Sequence, residues 1–224
     1  MMLNHKHFSS WSRCANAATV ILVIALHFAA TSYVSAATYT NFAAFQAATS
    51  GLTTDDFESG PWAIPGSKPI PTVNLGVSWS AQNELYVTTV IALSGSHSIS
   101  DIDGNGDRDQ LLAALPAGTY AAGGWIHGFL QGTATSMLAY DANNVLLESL
   151  SIPDTGVGFA FMGVTSSQAI NRVEFRKPPT DGPNDDFVLD DFTFGNVVPE
   201  PASAVLLGFA ALGMLALRNP RKPT

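Results

Sequence analysis

The stretch "DIDGNGDRD", residues 101–109, concentrates more potential metal chemistry than any other part of the chain. Asp101, Asp103, Asn105 and Gly106 stand at the spacing of positions 1, 3, 5 and 6 of a calcium-binding EF-hand loop, and Asp109 falls at position 9. Side-chain oxygens at that spacing suit a hard cation such as calcium. Position 12, which calls for a bidentate Glu, is Leu112, and no helical periodicity precedes the loop, so this is not an EF-hand. Two readings remain: an open calcium site built on Asp101, Asp103, Asn105 and Asp107, or a Gly/Asn/Asp turn between strands. The turn is the simpler of the two.

Other reactive constellations are thinner. His97 and His127 are the two histidines beyond the first apolar run, too few for a histidine-based zinc site without carboxylate help. No G-x-S-x-G elbow accompanies the many serines, and "YAAGGW" lacks the lysine of a phosphate loop. Acids are plentiful, but no pair stands out for glycosidic cleavage. Trp62, within the Pro/Gly-rich "PWAIPGSKPIP", is the aromatic best placed to stack on a sugar ring, with packing as the competing role. Trp79 alternates with Leu75 and Val77 and reads as core.

Composition narrows the class. Charged residues are 12% of the 224, about half of an average soluble domain, with hydrophobic residues at 46%. Between Thr38 and Val198 there are 17 acidic and 5 basic residues, a net −12 that repels nucleic acid and anionic lipid headgroups. The one cysteine, Cys14, precedes the first apolar run and is expected to leave with a cleaved leader. The mature domain then has no thiolate, disulfide or cysteine-ligated metal.

Both ends read as targeting segments. Lys6 and Arg13 precede an apolar run from Ala15 to Ala30, and Val34-Ser35-Ala36 then gives the small-x-small pattern that a signal peptidase requires. Residues 1–37 are therefore expected to be a signal peptide, cut beside Ala36 and Ala37. At the other end an uncharged run from Ala202 to Leu217 precedes Arg218, Arg221 and Lys222. Its 16 residues approach the ~20 needed to span a bilayer, and basic residues behind it favour a cytoplasmic tail. Ahead of it, Pro199-Glu200-Pro201 biases the chain toward an extended segment.

"VPEPASAVLLGFAALGMLALRNPRK" resembles the PEP-CTERM sorting signal of Gram-negative bacteria, a module also described as an ice-binding protein C-terminal domain. Its three parts stand in order as the triplet 199–201, a membrane helix 202–217 and a basic tail 218–224. The resemblance implies export through the inner membrane, transient anchoring there by the C-terminal helix, and processing by an exosortase. Delivery to the cell envelope or extracellular matrix would follow.

Residues 38–196 alternate apolar and polar in short runs broken by turn residues, which predicts an all-β, single jelly-roll-type antiparallel β-sandwich of about eight strands. "VNLGVSWSA" places Val73, Leu75, Val77, Trp79 and Ala81 on one face, "DANN" reads as a hairpin turn, and "TNFAAFQAAT" as one short helix. "DFESGPW" and "DDFVLDDFTF" resemble the first and last strands of jelly-roll domains of the carbohydrate-binding kind. That resemblance implies a structural calcium held by Glu58 with Asp190 or Asp191; otherwise these acids are edge charges that discourage aggregation. The expected protein is a non-enzymatic, structural or glycan-binding component of exopolysaccharide. Signal peptidase and exosortase are its expected processing partners, and nucleic acid is not a partner. A carbohydrate-active enzyme is the alternative. Ice binding is a further one, though no regular Thr array supports it.

Overall fold

Successive side chains of an extended backbone point to opposite faces, so alternating runs form strands with one face available for burial. A computed structural model of the chain describes residues 36–102, 110–128, 134–153, 158–177 and 187–198. The elements run β1 (Ala37–Tyr39), α1 (Phe42–Ala48), β2 (Thr49–Asp55), a 3-10 turn (Gly60–Trp62), β3 (Gly66–Ser67), β4 (Thr72–Asn74), β5 (Val77–Ala81) and β6 (Leu85–Thr88). They continue as β7 (Ser98–Asp101), β8 (Gln110–Ala114), β9 (Ala121–Gly128), β10 (Ala134–Tyr140), β11 (Leu146–Pro153), β12 (Ala160–Thr165), β13 (Arg172–Arg176) and β14 (Phe187–Val197).

All pairings are antiparallel and make two sheets. One is ordered β1-β12-β9-β14-β7-β6-β3, with β2 pairing the second half of β14; the other is ordered β11-β10-β13-β8-β5-β4. The chain thus forms the expected antiparallel sandwich. The described residues hold 14 strands rather than about eight, because several runs break into short hairpin pieces. The sorting triplet Pro199-Glu200-Pro201 and the two terminal apolar segments lie outside the described residues. Among the described residues no helix is long and apolar enough to cross a membrane. Ala37, beside the expected cleavage point, pairs with Thr165 at the start of β1.

The core is the space between the sheets. Val77, Trp79 and Ala81 of β5, Leu111 and Ala113 of β8, Met137 and Ala139 of β10 and Val173 and Phe175 of β13 face Ile126, Met162, Val164, Phe187, Leu189 and Phe192 across it. The run "VNLGVSWSA" is not one strand. Leu75 and Gly76 both have positive φ (48° and 82°) and form a two-residue turn, so β4 folds back on β5 and pairs Val73 with Ser78. Such turns need φ > 0 at both central positions. Val73 and Leu75 consequently stay exposed, at 60% and 51%, while Val77, Trp79 and Ala81 go inside.

A smaller cluster sits on the outer face of the larger sheet, beneath α1. Asn41 caps this helix, its Oδ1 accepting the Ala44 amide at 3.0 Å. Seven residues are too few for a helix to persist by propensity alone, so packing holds it. Phe42 and Phe45 lie 5.1 and 5.3 Å, centroid to centroid, from Phe161. The Phe161 ring in turn lies over Gly123 and Gly163, which are cross-strand partners. A Cβ on Gly123 would come within 2.7 Å of Phe161 Cζ and 2.8 Å of the Met162 carbonyl oxygen. Gly123→Ala should therefore destabilise the fold by about 1–3 kcal/mol. Chemical denaturation checks this, and an unchanged midpoint would show that the ring and the backbone can both yield.

Candidate functional site

Strand β13 reads Arg172-Val173-Glu174-Phe175-Arg176, with Val173 and Phe175 inside the sandwich and the three charged residues on the outer face of the six-stranded sheet. Antiparallel register builds three rows around them. Ser78, Ala114, Arg172 and Tyr140 form the first. Ser80, Leu112, Glu174, Leu138 and Ser149 form the second, and Gln110, Arg176, Ser136 and Ser151 the third. Neighbouring strands are ~4.8 Å apart, so each row is a line of side chains at roughly that interval.

Glu174 is the only acid in β5, β8, β10 and β13, and it is 6% exposed despite facing outward. Its burial is compensated. Arg172 Nη2 lies 2.9 Å from Oε1, Arg176 Nη1 lies 3.9 Å from Oε2, and the Tyr140 hydroxyl donates to Oε2 at 3.4 Å. Arg172 also donates to Asn144 Oδ1 at 2.9 Å and lies 4.5 Å over the Tyr140 ring. Two arginines, a carboxylate, a tyrosine, an amide and several hydroxyls thus share one face, with Leu112 and Leu138 between them. Such a face can bind hydroxyl groups by planar, charge-assisted hydrogen bonds and pack apolar C–H surfaces against half-buried Leu112, whereas Leu138 is 7% exposed and lies beneath.

The three acids carried over by resemblance are each tied to loop 93–97. β2 and β14 are neighbours, pairing Asp55 with Phe192. Loop 93–97 spans the carboxylates beyond this pair. Asp190 Oδ2 accepts the amides of Leu93 (2.7 Å) and Ser94 (3.2 Å), and its Oδ1 that of Asp191 (2.7 Å). Asp191 Oδ1 accepts the Ser94 hydroxyl at 2.8 Å. Glu58 Oε1 accepts the amides of Ser96 (2.5 Å) and His97 (2.6 Å), while Oε2 lies 2.9 Å from His97 Nδ1. Among the described residues no group of three or more His, Cys, Asp or Glu is placed to hold a metal ion. As arranged, Glu58, Asp190 and Asp191 clasp loop 93–97.

Burial raises the Asp190 pKa to about 6 against the pull of its three amide donors, with the nearby Asp191 charge raising it further. Burial also raises Glu58, but the Ser96 and His97 amides and the imidazole outweigh it and the net shift is downward.

Asp101 is likewise a structural acceptor. It is fully buried and takes the amides of Asn83, Glu84 and Gln110 at 2.9–3.0 Å, joining the ends of β6, β7 and β8. Asp103, Asn105 and Asp107 lie outside the described residues. Trp62 is corrected: its ring is fully buried, 5.4 Å edge-to-face from Phe57, and its Nε1 donates to Asp55 Oδ2 at 3.1 Å. A ring without an exposed face cannot stack on a sugar. The outward row of β13 carried a sequence signal of its own. "INRVEFR" holds two of the five basic residues between positions 38 and 198, at strand spacing on either side of a glutamate.

No family model matches the chain. No curated protein matches it either. Among solved structures, it is similar to the K2 cleaved adhesin domain of Lys-gingipain, with a TM-score of 0.45 and 14% identity over 64% of this chain and 97% of that one. It is also similar to the C-terminal family 22 carbohydrate-binding module of Clostridium thermocellum Xyn10B, with a TM-score of 0.41 and 15% identity over 66% of this chain and 94% of that one. A third is the CBM22-1 xylan-binding domain of Paenibacillus barcinonensis Xyn10C, with a TM-score of 0.41 and 14% identity over 65% of this chain and 93% of that one.

Proposed function

We propose that the domain is a non-enzymatic glycan-binding module of the cell envelope or extracellular matrix, exported by its leader and sorted through its C-terminal segment. The observation that carries the binding half is the outer face of the six-stranded sheet, where Tyr140, Arg172 and Glu174 form a fixed polar network flanked by Leu112 and Leu138. A preorganised network reduces the ordering entropy that a flexible polar surface would lose on binding. The delivery half rests on the sequence of the sorting segment.

The same face argues against hydrolysis. Glycosidases place two carboxyl groups roughly 5–10 Å apart across the scissile bond. Glu174 is the sole acid in the four strands that surround it, and its oxygens are held by Arg172 and Tyr140. Asp55, Asp101 and Asp190 are each committed to amide or indole donors.

Titration calorimetry of the 38–198 fragment against a panel of bacterial exopolysaccharides and plant glycans tests the reading. Binding is expected, with Tyr140→Ala or Arg172→Ala weakening it about tenfold, equivalent to ~1.4 kcal/mol. Ser78→Trp, which removes nothing from the network and only adds bulk to the face, should weaken it as well. A panel without binding, or binding indifferent to all three changes, would overturn the assignment.

A further inference from the structure

The outer face does not treat its two arginines alike. Arg172 is committed to Glu174, to Asn144 and to the Tyr140 ring. The Arg176 side chain makes no hydrogen bond among the described residues, and its one ionic neighbour among them is Glu174 Oε2 at 3.9 Å, an oxygen already approached by Tyr140. Its side chain is 34% exposed. A guanidinium carries five N–H donors in a planar fork that matches a carboxylate. Here the fork stands between Gln110 on β8 and Ser136 on β10. Gln110 donates its backbone amide to Asp101 Oδ2, and its side-chain amide, without a hydrogen bond among the described residues, can serve a ligand.

Charge distribution supplies a second, separate argument. Residues 38–198 carry a net −12, yet β5, β8, β10 and β13 together hold two arginines and one glutamate. Those four strands therefore carry a net positive charge in a negative domain. Beyond a Debye length, ~8 Å at physiological ionic strength, the surrounding acids are largely screened. An isolated carboxylate next to Arg176 is attracted, whereas a densely charged polyanion is repelled by the net charge of the domain.

The geometry points to a subsite for an acidic sugar centred on Arg176. The carboxylate of a uronate residue, within a polysaccharide of moderate charge density, is taken end-on by the guanidinium fork, and Gln110 and Ser136 hold the hydroxyls of the same ring. Buried Glu174 repels a carboxylate placed one row further along, so it fixes which sugar in the chain carries the acid. This subsite rests on the glycan-binding reading and gives that reading a ligand class.

Pectin supplies the probe, because methyl esterification removes carboxylate charge without changing the backbone. The fragment is expected to bind partly esterified pectin at least tenfold more tightly than fully esterified pectin. Arg176→Ala should abolish that difference by weakening binding of the partly esterified polymer much more than binding of the fully esterified one. Arg176→Lys should retain part of it, since an ammonium keeps the charge and loses the fork. Equal affinity of the wild type for both polymers would overturn the acidic-sugar subsite and leave glycan binding standing. An equal loss for both polymers in Arg176→Ala would also overturn it, marking Arg176 as a general support of the face. Failure to bind either pectin or any glycan of the panel would remove the glycan reading and the subsite with it.

Discussion

Trp79→Ala is expected to lower the stability of the sandwich by about 4 kcal/mol, within the ~3–5 kcal/mol range for truncating a buried tryptophan or phenylalanine. Trp79 is fully buried in the middle of β5. Its ring lies 4.9 Å from Phe192, 5.5 Å from Phe57 and 6.5 Å from Trp62, each at 70° or more to its plane. Edge-to-face pairs of this kind contribute roughly 0.5–1.5 kcal/mol beyond the area they bury. The cluster also joins elements distant in sequence. Phe57 and Trp62 follow β2, Trp79 belongs to the six-stranded sheet, and Phe192 to β14 of the other sheet. A cavity at Trp79 thus opens both sheets at once. Against a typical total stability of about 5–15 kcal/mol, the loss should appear as a fall in melting temperature of roughly 10 °C.

The companion variant separates volume from polarity. Trp79 Nε1 is buried without a hydrogen-bond partner among the described residues. Trp79→Phe keeps most of the ring contacts and deletes that orphaned donor, whose desolvation opposes folding by about 1–3 kcal/mol. The phenylalanine variant should therefore lose less than about 2 kcal/mol. A drop for Trp79→Ala of only a degree or two would show that the aromatic cluster is not the centre of packing. A phenylalanine variant as weak as the alanine one would show that the indole N–H has an acceptor.

How far such residues can be read without coordinates depends on how far their partners lie along the chain. "DANN" announced its turn because the chemistry is local: Asp141 Oδ1 accepts the amides of Asn143 and Val145, and Asn144 takes positive φ. The stretch "TNFAAFQAAT" announced α1 for the same reason. Leu75 hid a chain reversal, because a leucine at a positive-φ turn position prolongs the apolar alternation through the turn. Trp62 in a Pro/Gly loop suggested exposure, and only the carboxylate of Asp55 and the rings of Phe57 and Trp79 explain its burial. The Arg172–Glu174–Arg176 row was visible as a strand. Its meaning depends on register with β8 and β10, which lie dozens of residues upstream, and on the absence of other acids in the surrounding strands. The clasp of Glu58 and Asp190 on loop 93–97 likewise joins three separate segments.

That clasp has a consequence for solution conditions: the sandwich should be more stable near pH 4.5 than at pH 7. Burial raises the pKa of Asp55, Asp101 and Asp190 above the ordinary carboxylate value of 3.8, to about 6 for Asp190, and among the described residues the hydrogen-bond partners of all three are amide and indole N–H groups rather than cations. A folded-state pKa above the unfolded one means that folding takes up a proton in the intervening range. The associated stability is full below about 3.8 and is lost as the pH climbs through the folded value, near 6 for Asp190. Glu58 has the opposite sign. Its contribution is present above its ordinary value of 4.5 and fades as the pH falls through its lowered folded value, below the window in question. A shift of about two units on fully buried Asp190 corresponds to at most ~3 kcal/mol. The melting temperature should accordingly fall by several degrees between pH 4.5 and 7. Asp190→Asn keeps a carbonyl oxygen for the loop amides but cannot ionise, so it should flatten this slope even where its NH2 group, facing the Asp191 amide, lowers stability at every pH. Comparing slopes removes that uniform loss. A wild-type melting temperature that rises across the interval, or a slope that Asp190→Asn leaves untouched, would show that the buried carboxylate of β14 is not what the fold protonates.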